Sequence, residues 1–118
     1  NGLRISLDEI LELKPLIANH VEFVDGLPII RDYVLEAGND VVLIEIPGDI
    51  EVLRKKSMKH VLEWRNALRR IFNYYINEMG YIVVGFTSRV EEGVRRSYYI
   101  LWRRSLDTVL EGSYPWKS

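Results

Sequence analysis

The stretch "VLEWRNALRRIF", residues 61–72, has the apolar spacing of an amphipathic helix together with one anomaly. Val61, Leu68 and Phe72 recur at the spacing that places side chains on one helical face, where they would pack against a core. Arg65 falls on the same line, four residues after Val61 and three before Leu68. Because an unpaired buried charge costs about 3–5 kcal/mol, an arginine on the core face predicts a buried anionic partner.

The same periodicity extends the helix in both directions, to about residues 58–79. Gly80 directly follows the last apolar position and is expected to end the helix as its C′ residue. Before the helix, the nearly continuous apolar run "VVLIEIP" (residues 41–47) predicts a strand that is buried on both faces. Asp49 is the expected N-cap of a short intervening helix, "IEVLRKKS".

Two strands joined by a turn are predicted after the long helix. They are "YIVVGFTS" (residues 81–88) and "VRRSYYILWRR" (residues 94–104), with "RVEEG" as the turn between them. A strand, a long helix and a hairpin in this order predict an α+β fold. We expect a mostly antiparallel sheet with one long helix packed on a face.

The first 39 residues predict a short helix followed by extended segments. Ser6 and Glu9 form a capping-box pattern that opens the helix at residues 7–14. Asp25-Gly26 is a turn signal between two of the extended segments. With 47% hydrophobic residues, the 118 residues are expected to form a single domain that spans the whole chain.

Charge is divided unevenly along the chain, although its net charge is only −1. Residues 1–53 carry eleven acidic and three basic side chains, a net charge of −8. Residues 54–104 carry twelve basic and four acidic side chains, a net charge of +8. Either the two parts pack together and neutralise each other, or the basic part faces an anion such as a phosphate-bearing cofactor or a nucleic acid.

Composition excludes several kinds of site. Cysteine is absent, which excludes disulfides, zinc–thiolate sites and thiol nucleophiles. The two histidines, His20 and His60, have no neighbouring ligand pattern, so no metal site is predicted. The longest apolar run, "YYILW", is too short to span a membrane, and "NGLRISLDEI" has acids where a signal peptide needs bases. We therefore expect a cytoplasmic protein without membrane association.

Glu45 is the expected partner of the arginine, because it is the one charged residue within "VVLIEIP". The sequence predicts a buried ion pair of Glu45 with Arg65, or with Arg69 one helical turn later, that fixes the position of the helix on the sheet. The alternative is that one arginine is free to bind a carboxylate or a phosphate through its planar guanidinium group.

The segment "RRSYYILWRR" (residues 95–104) also has the composition of a nucleic-acid-binding strand, because aromatic rings beside arginines could stack on bases. Strand alternation disfavours this interpretation. Tyr98, Ile100 and Trp102 share one face, and one face of the strand must cover the helix. We therefore expect the aromatic side chains to pack within the protein, and nucleic-acid binding is the least favoured function.

Four motifs follow one another along residues 40–103. They are E-I-P-x-D-I at Glu45–Ile50, W-R-x-x-x-R at Trp64–Arg69, G-Y-x-V-x-x-F at Gly80–Phe86, and the aromatic strand "SYYILWR". This combination resembles the C-terminal region of predicted acetyltransferases of the GNAT superfamily. The resemblance implies a GNAT-like half, in which the strand, helix and hairpin belong to a larger N-acyltransferase. Residues 1–39 match the family only loosely.

The resemblance implies acetyl-CoA as the cofactor, but the chain lacks the segment that would bind it. A GNAT fold holds the pyrophosphate on backbone N–H groups of a [QR]-x-x-G-x-[GA] loop that opens a helix. Every glycine in this chain is isolated, and in the family that loop lies in the preceding half of a longer chain. We therefore expect a domain that is inactive alone and whose partner is a preceding GNAT half or a second copy.

The candidate site combines one carboxylate with two arginines and two aromatic residues. Glu45 is the candidate catalytic residue, Arg65 and Arg69 are candidate ligands of an anion or partners of Glu45, and Trp64 and Tyr98 are candidate binding residues. The predicted function is the C-terminal domain of an N-acyltransferase that shapes the acceptor side or the interface. A non-catalytic oligomerisation or interaction module is the alternative, followed by a nucleic-acid-binding domain that uses residues 54–104.

Overall fold

Two β-sheets and three α-helices make up the computed structural model, which describes residues 5–104 and Pro115. The helices are α1 (Leu7–Leu11), α2 (Ile50–Lys56) and α3 (Met58–Phe72), and a π-helical segment (Asn73–Glu78) continues α3. The strands are β1 (Leu16–Ile17), β2 (Asn19–Val24), β3 (Leu27–Tyr33), β4 (Val41–Ile46), β5 (Ile82–Glu91) and β6 (Val94–Trp102).

The larger sheet has the strand order β1–β4–β6–β5, and β2 and β3 form a separate antiparallel hairpin. β1 pairs with β4 in parallel over two residues, whereas β4, β6 and β5 are antiparallel to their neighbours. The last strand, β6, therefore lies between β4 and β5. The predicted α+β class, with a mostly antiparallel sheet and a long helix packed on it, is confirmed.

Both hairpins turn on two residues with positive φ. Asp25 and Gly26, with φ of 52° and 78°, join β2 to β3, and Glu92 and Gly93, with φ of 51° and 82°, join β5 to β6. Two consecutive residues in this region give a turn whose twist matches the paired strands, and glycine enters the region without steric cost. The turn predicted at Asp25-Gly26 is confirmed. Most of the predicted turn "RVEEG" instead belongs to β5, because two residues are sufficient to reverse the chain.

Short polar side chains start each α-helix. Ser6 caps α1, Asp49 caps α2 and Ser57 caps α3, each by accepting a hydrogen bond from a backbone N–H of the first turn. The caps predicted at Ser6 and Asp49 are confirmed. α1 ends at Leu11, well before the predicted end at residue 14. The long helix changes to π-helical hydrogen bonding after Phe72, so the predicted helix of residues 58–79 is α-helical only in its first part.

The larger sheet has a hydrophobic core on each face. α1 covers one face, where the buried residues are Leu7, Ile10, Val41, Leu43, Val84, Tyr98, Ile100 and Trp102. α3 and the π-helical segment cover the other, where the buried residues are Ala18, Val42, Ile44, Ile71, Tyr75, Tyr81 and Leu101. The residues of β4 and β6 alternate between these faces, and the predicted burial of β4 on both sides is confirmed.

The β2–β3 hairpin is anchored on α3 through a third cluster of buried residues. Val21 of β2 packs there with Val61 and Trp64 of α3 and with Leu53 of α2. The indole Nε1 of Trp64 donates a hydrogen bond to the carbonyl oxygen of Pro28 in β3, at 2.9 Å. The hairpin is therefore attached to the helices on one side, while β2 continues directly from the edge of the larger sheet.

Candidate functional site

β1 and β4 run side by side for two residue pairs and then separate, because the chain leaves the sheet after Ile17 to form β2. The buried side chain of Asn19 takes the place that a longer β1 would occupy. Its amide nitrogen donates to the carbonyl oxygen of Glu45, and its amide oxygen accepts from the backbone N–H of Glu45, both at 2.8 Å. Asn19 therefore satisfies the backbone of Glu45 at the point where the parallel pairing has ended.

The side chain of Glu45 is only 3% exposed and is paired with Arg96 of β6. Nη1 of Arg96 donates to both carboxylate oxygens, at 2.9 and 3.2 Å. Nη2 of the same guanidinium donates to the carbonyl oxygen of Val21 at 3.3 Å, and the group lies 5.0 Å from the ring centre of Phe23. A second carboxylate, that of Glu91, lies 3.7 Å from Nε. The positive charge of Arg96 is therefore shared between two carboxylates and the β2–β3 hairpin.

Burial raises the pKa of Glu45 from its ordinary value of 4.5 to about 7, although the charge of Arg96 and its hydrogen bonds lower it. The nearby carboxylate of Glu91 raises the pKa further. Because Arg96 also contacts the Glu91 carboxylate and the carbonyl oxygen of Val21, its charge only partly offsets the cost of burying the Glu45 carboxylate. A carboxyl group with a pKa near 7 exists in both protonation states at neutral pH, so Glu45 can take up and release a proton there.

Three polar side chains form a row across the sheet beside this pair. Tyr98 faces Glu45 directly in the β4–β6 pairing, and Thr87 faces Tyr98 in the β5–β6 pairing. Paired residues of antiparallel strands point to the same face, which places Glu45, Tyr98 and Thr87 side by side. Burial and the neighbouring Glu45 carboxylate raise the pKa of Tyr98, so its hydroxyl stays protonated. The Thr87 hydroxyl is buried and has no hydrogen-bond partner within residues 5–104 and Pro115.

A cavity of about 380 Å³ opens where β1 and β4 separate, and Glu45, Arg96 and Tyr98 line it. This is the volume of a small ligand or of one extended side chain. Residues of β1 and of the β2–β3 hairpin line the rest of the cavity, including Asp32 and His20. The guanidinium of Arg96 is already engaged with Glu45 and Val21, whereas the exposed Asp32 carboxylate and the remaining lone pairs of the Glu45 oxygens can still accept hydrogen bonds. The cavity therefore suits a ligand that donates hydrogen bonds, such as a primary amine.

The predicted ion pair of Glu45 with Arg65 or Arg69 is wrong. Glu45 projects from the face of β4 that carries Leu43, whereas α3 packs against the opposite face of the sheet. Both arginines lie on the exposed side of α3, and the partner of Glu45 is Arg96 instead. Their alternative role as ligands of an anion stays a prediction.

The position of Trp64 explains why Arg65 is exposed. The buried stripe of α3 includes Trp64 and Ile71, and each residue of an α-helix is rotated by roughly 100° from the one before. Arg65 therefore lies beside the stripe, although it is one turn from the buried Val61. The Trp64 side chain is 1% exposed, and its N–H is bonded to Pro28, so the structure places this candidate binding residue within the core.

The sequence indicated Glu45 and Tyr98 as candidate residues, which line one cavity in the structure, but Arg96 and Asn19 were not predicted from it. A signal for Arg96 was present, because residues 96, 98, 100 and 102 alternate onto one face of a strand and Arg96 begins that series. Asn19 had no comparable signal, since its role depends on the separation of two strands that are distant from each other in sequence.

The N-termini of α2 and α3 offer no free backbone cradle for the pyrophosphate of acetyl-CoA. The first-turn N–H groups of α2 are bonded to the carboxylate of Asp49, whose charge would also repel a phosphate. At α3, the side chain of Ser57 accepts the N–H of His60. Residues 5–104 and Pro115 also contain no group of three or more His, Asp or Glu side chains that could hold a metal ion.

No family model matches the chain, and no curated protein or solved structure shows significant similarity to it. The likeness to GNAT acetyltransferases therefore rests on the sequence motifs alone. Within the part of the chain that the structure describes, no helix is long and apolar enough to cross a membrane.

Proposed function

We propose that this chain is the acceptor-side, C-terminal domain of a GNAT-type N-acyltransferase, whose acetyl-CoA-binding loop belongs to a preceding part of the protein or to another subunit. The observation that carries the proposal is the placement of Glu45, the acidic residue of the E-I-P-x-D-I motif, at a cavity of ligand size. The four motifs fall on β4 and the start of α2, on α3, on β5 and on β6.

The residues at the cavity have the properties that an amine acceptor requires. An amine is protonated at neutral pH and becomes a nucleophile only when it loses a proton. Glu45, whose pKa is raised to about 7, would take that proton on a carboxylate oxygen as a general base. Arg96 acts as a positioning residue, because its Nη1 fixes both oxygens of the carboxylate. The Tyr98 hydroxyl, kept protonated by its raised pKa, lies beside Arg96 at the cavity and would help to orient the acceptor.

The division of labour between this chain and the rest of an acyltransferase can be tested by acetyl-CoA titration. Calorimetry would be carried out on this chain alone and on the longest natural protein that contains it. We expect binding by the longer protein only, since the N-termini of α2 and α3 offer no free backbone cradle for the pyrophosphate. Tight binding by this chain alone would overturn the proposed division, and no binding by either protein would argue against an acetyl-CoA-dependent enzyme.

The role of Glu45 can be tested by Glu45→Gln in the longer protein, assayed with a panel of primary amines. Loss of a general base lowers kcat/KM by about 100-fold or more and removes the dependence of the rate on a group with a pKa near 7. Glu63→Gln is the matched control, because Glu63 is an exposed carboxylate on α3 that pairs with His60. A large loss of stability without a selective loss of activity would reject a catalytic role for Glu45.

A non-catalytic interaction module is the second candidate function, and one observation favours it. Met58 and Leu62 of α3 are 52% and 46% exposed, although both are large apolar residues on a regular helix. Apolar surface of this kind is typical of contacts between proteins. An oligomer in solution, with neither acetyl-CoA affinity nor acyltransferase activity in the longer protein, would favour this function over the first.

A further inference from the structure

Six exposed cationic side chains on α2 and α3 have no hydrogen-bond or ion-pair partner among the residues that the structure describes. They are Lys55, Lys56, Lys59, Arg65, Arg69 and Arg70. Among the arginines of the strands, Arg31, Arg89 and Arg96 each contact a carboxylate, and Arg95 donates to the Ser88 hydroxyl. The unneutralised positive charge of the described chain is therefore concentrated on these two helices.

Four exposed residues of α3 lie along one line of the helix. They are Met58, Leu62, Arg65 and Arg69, which follow one another at intervals of three or four residues. At 1.5 Å per residue the line is about 16 Å long, and it begins with apolar surface and continues with two guanidinium groups. We call this line, together with the flanking Lys59 and Arg70, the basic face.

The composition of the basic face fits a protein partner better than a nucleic acid. Arginine and methionine are enriched at protein interfaces, where exposed apolar side chains lose their contact with water. Stacking on bases needs accessible rings, but Trp64 and Tyr75 of the same helical region are both buried. A partner for this face therefore needs carboxylates next to apolar side chains.

The chain has a surface of this kind on the opposite side of the larger sheet. α1 packs on the face that α3 does not cover, and Glu9 and Glu12 are exposed there. Leu11 and Leu13, beside these carboxylates, are 37% and 39% exposed. Residues 1–53, which include α1, carry the net charge of −8 that balances the basic part of the chain.

We propose that the basic face of one molecule docks against the surface around α1 of a second copy. A two-fold contact at the basic face would set the arginines of both molecules against each other, so the contact must join unlike surfaces. Since the two surfaces lie on opposite sides of the sheet, each molecule contacts two neighbours and the assembly grows head to tail. This inference is independent of the acyltransferase proposal, because it uses neither Glu45 nor the cavity.

Sedimentation velocity on the full chain over a range of concentrations tests the contact. We expect association in dilute buffer and an association constant at least about tenfold lower when NaCl rises from about 50 to 500 mM, because salt screens exposed charges. We expect two double variants to weaken association. One carries Arg65→Ser and Arg69→Ser, and the other carries Glu9→Gln and Glu12→Gln. Glutamine at position 9 can still complete the capping pattern with Ser6, so α1 is expected to remain folded.

A mixture of the two double variants is the decisive sample. Each variant keeps one intact surface, so the mixture should form a 1:1 dimer that cannot grow further, whereas neither variant associates alone. A third double variant, Arg31→Ser with Arg104→Ser, is the control. It also removes two positive charges, but these lie outside α2 and α3, so association should be unchanged.

The proposal would be overturned if the chain were monomeric at every concentration. It would also be overturned if the association constant were the same in both double variants as in the parent protein. A monomeric chain that binds single-stranded oligodeoxythymidine through Arg65 and Arg69 would overturn it as well.

Discussion

Arg96 donates two hydrogen bonds to the carboxylate of Glu45, a residue that lies 51 positions earlier in the chain. The contact joins β6 to β4 at the place where β1 leaves the sheet. Arg96 also binds the carbonyl oxygen of Val21 and contacts the ring of Phe23, so the same guanidinium holds the β2–β3 hairpin against the sheet. One ion pair thus determines both the environment of the carboxylate and one wall of the cavity.

The first prediction concerns the pH dependence of stability. The pKa of Glu45 is about 7 in the folded protein and 4.5 without the folded environment, so the folded state holds this proton over a wider pH range. The free energy of unfolding therefore falls as pH rises from about 4.5 to 7 and no longer changes through this group above that range. In Glu45→Gln this decline should be absent. Thermal unfolding of both proteins between pH 4.5 and 8 measures the difference.

Glu63→Gln serves as the control for this measurement, because it removes an exposed carboxylate. Its melting temperature should follow that of the parent protein across the whole pH range. Parallel curves for Glu45→Gln and the parent would contradict the raised pKa of Glu45.

The second prediction concerns the loss of the guanidinium. Arg96→Met keeps an extended apolar stem but leaves the Glu45 carboxylate without its partner. Removal of one member of a buried ion pair costs about 3–5 kcal/mol, and the loss should be largest at pH 8, where Glu45 is charged. At pH 5 Glu45 can be protonated, so the loss should be smaller. Chemical denaturation at the two pH values measures both.

Arg95→Met is the matched control for this substitution, because Arg95 is the exposed neighbour whose side chain, among the described residues, bonds to the Ser88 hydroxyl and to no carboxylate. Its effect should be within about 1 kcal/mol at both pH values. If Arg96→Met were equally destabilising at pH 5 and pH 8, the charge of Glu45 would not be the cause.

The elements of the fold could be predicted because their signals are local. "VVLIEIP" is a continuous apolar run, Asp25-Gly26 is a turn dipeptide, and Ser6 and Asp49 are capping residues in front of helices. Each of these features needs only a few neighbouring residues for its interpretation, and each occurs in the structure. The rotation of α3 about its own axis was harder to predict, because Val61 and Phe72 lie at the edges of the buried stripe and Trp64 lies within it.

The site could be predicted only in part, because its contacts join distant segments. Glu45 is conspicuous as a charge within an apolar strand, and the need for a buried cationic partner follows from that alone. The identity of the partner depends on which face of β4 carries Glu45 and which strand lies beside β4. Neither fact is contained in the helix periodicity, which indicated Arg65, whereas the partner in the structure is Arg96.

The third prediction concerns the side-chain amide of Asn19, which bonds to the backbone of β4 beyond the end of β1. Asn19→Ala removes both hydrogen bonds to the backbone of Glu45 and leaves a buried N–H and a buried carbonyl group unpaired. The expected destabilisation is about 2–4 kcal/mol. Asn66→Ala is the control, because Asn66 is exposed on α3 and alanine favours helix formation there. Equal stability of the two variants in urea would show that the amide does not support β4.

The last prediction concerns the buried hydroxyl of Thr87, which has no partner among the described residues. Valine has nearly the same shape and no hydroxyl, so Thr87→Val should raise the free energy of unfolding by about 1 kcal/mol through the removal of an unpaired polar group. Thr87→Ser keeps the hydroxyl and loses a buried methyl group, and it should destabilise the protein. Both changes can be measured by urea denaturation at pH 7. If Thr87→Val is instead the less stable protein, the hydroxyl must have a partner that residues 5–104 and Pro115 do not include.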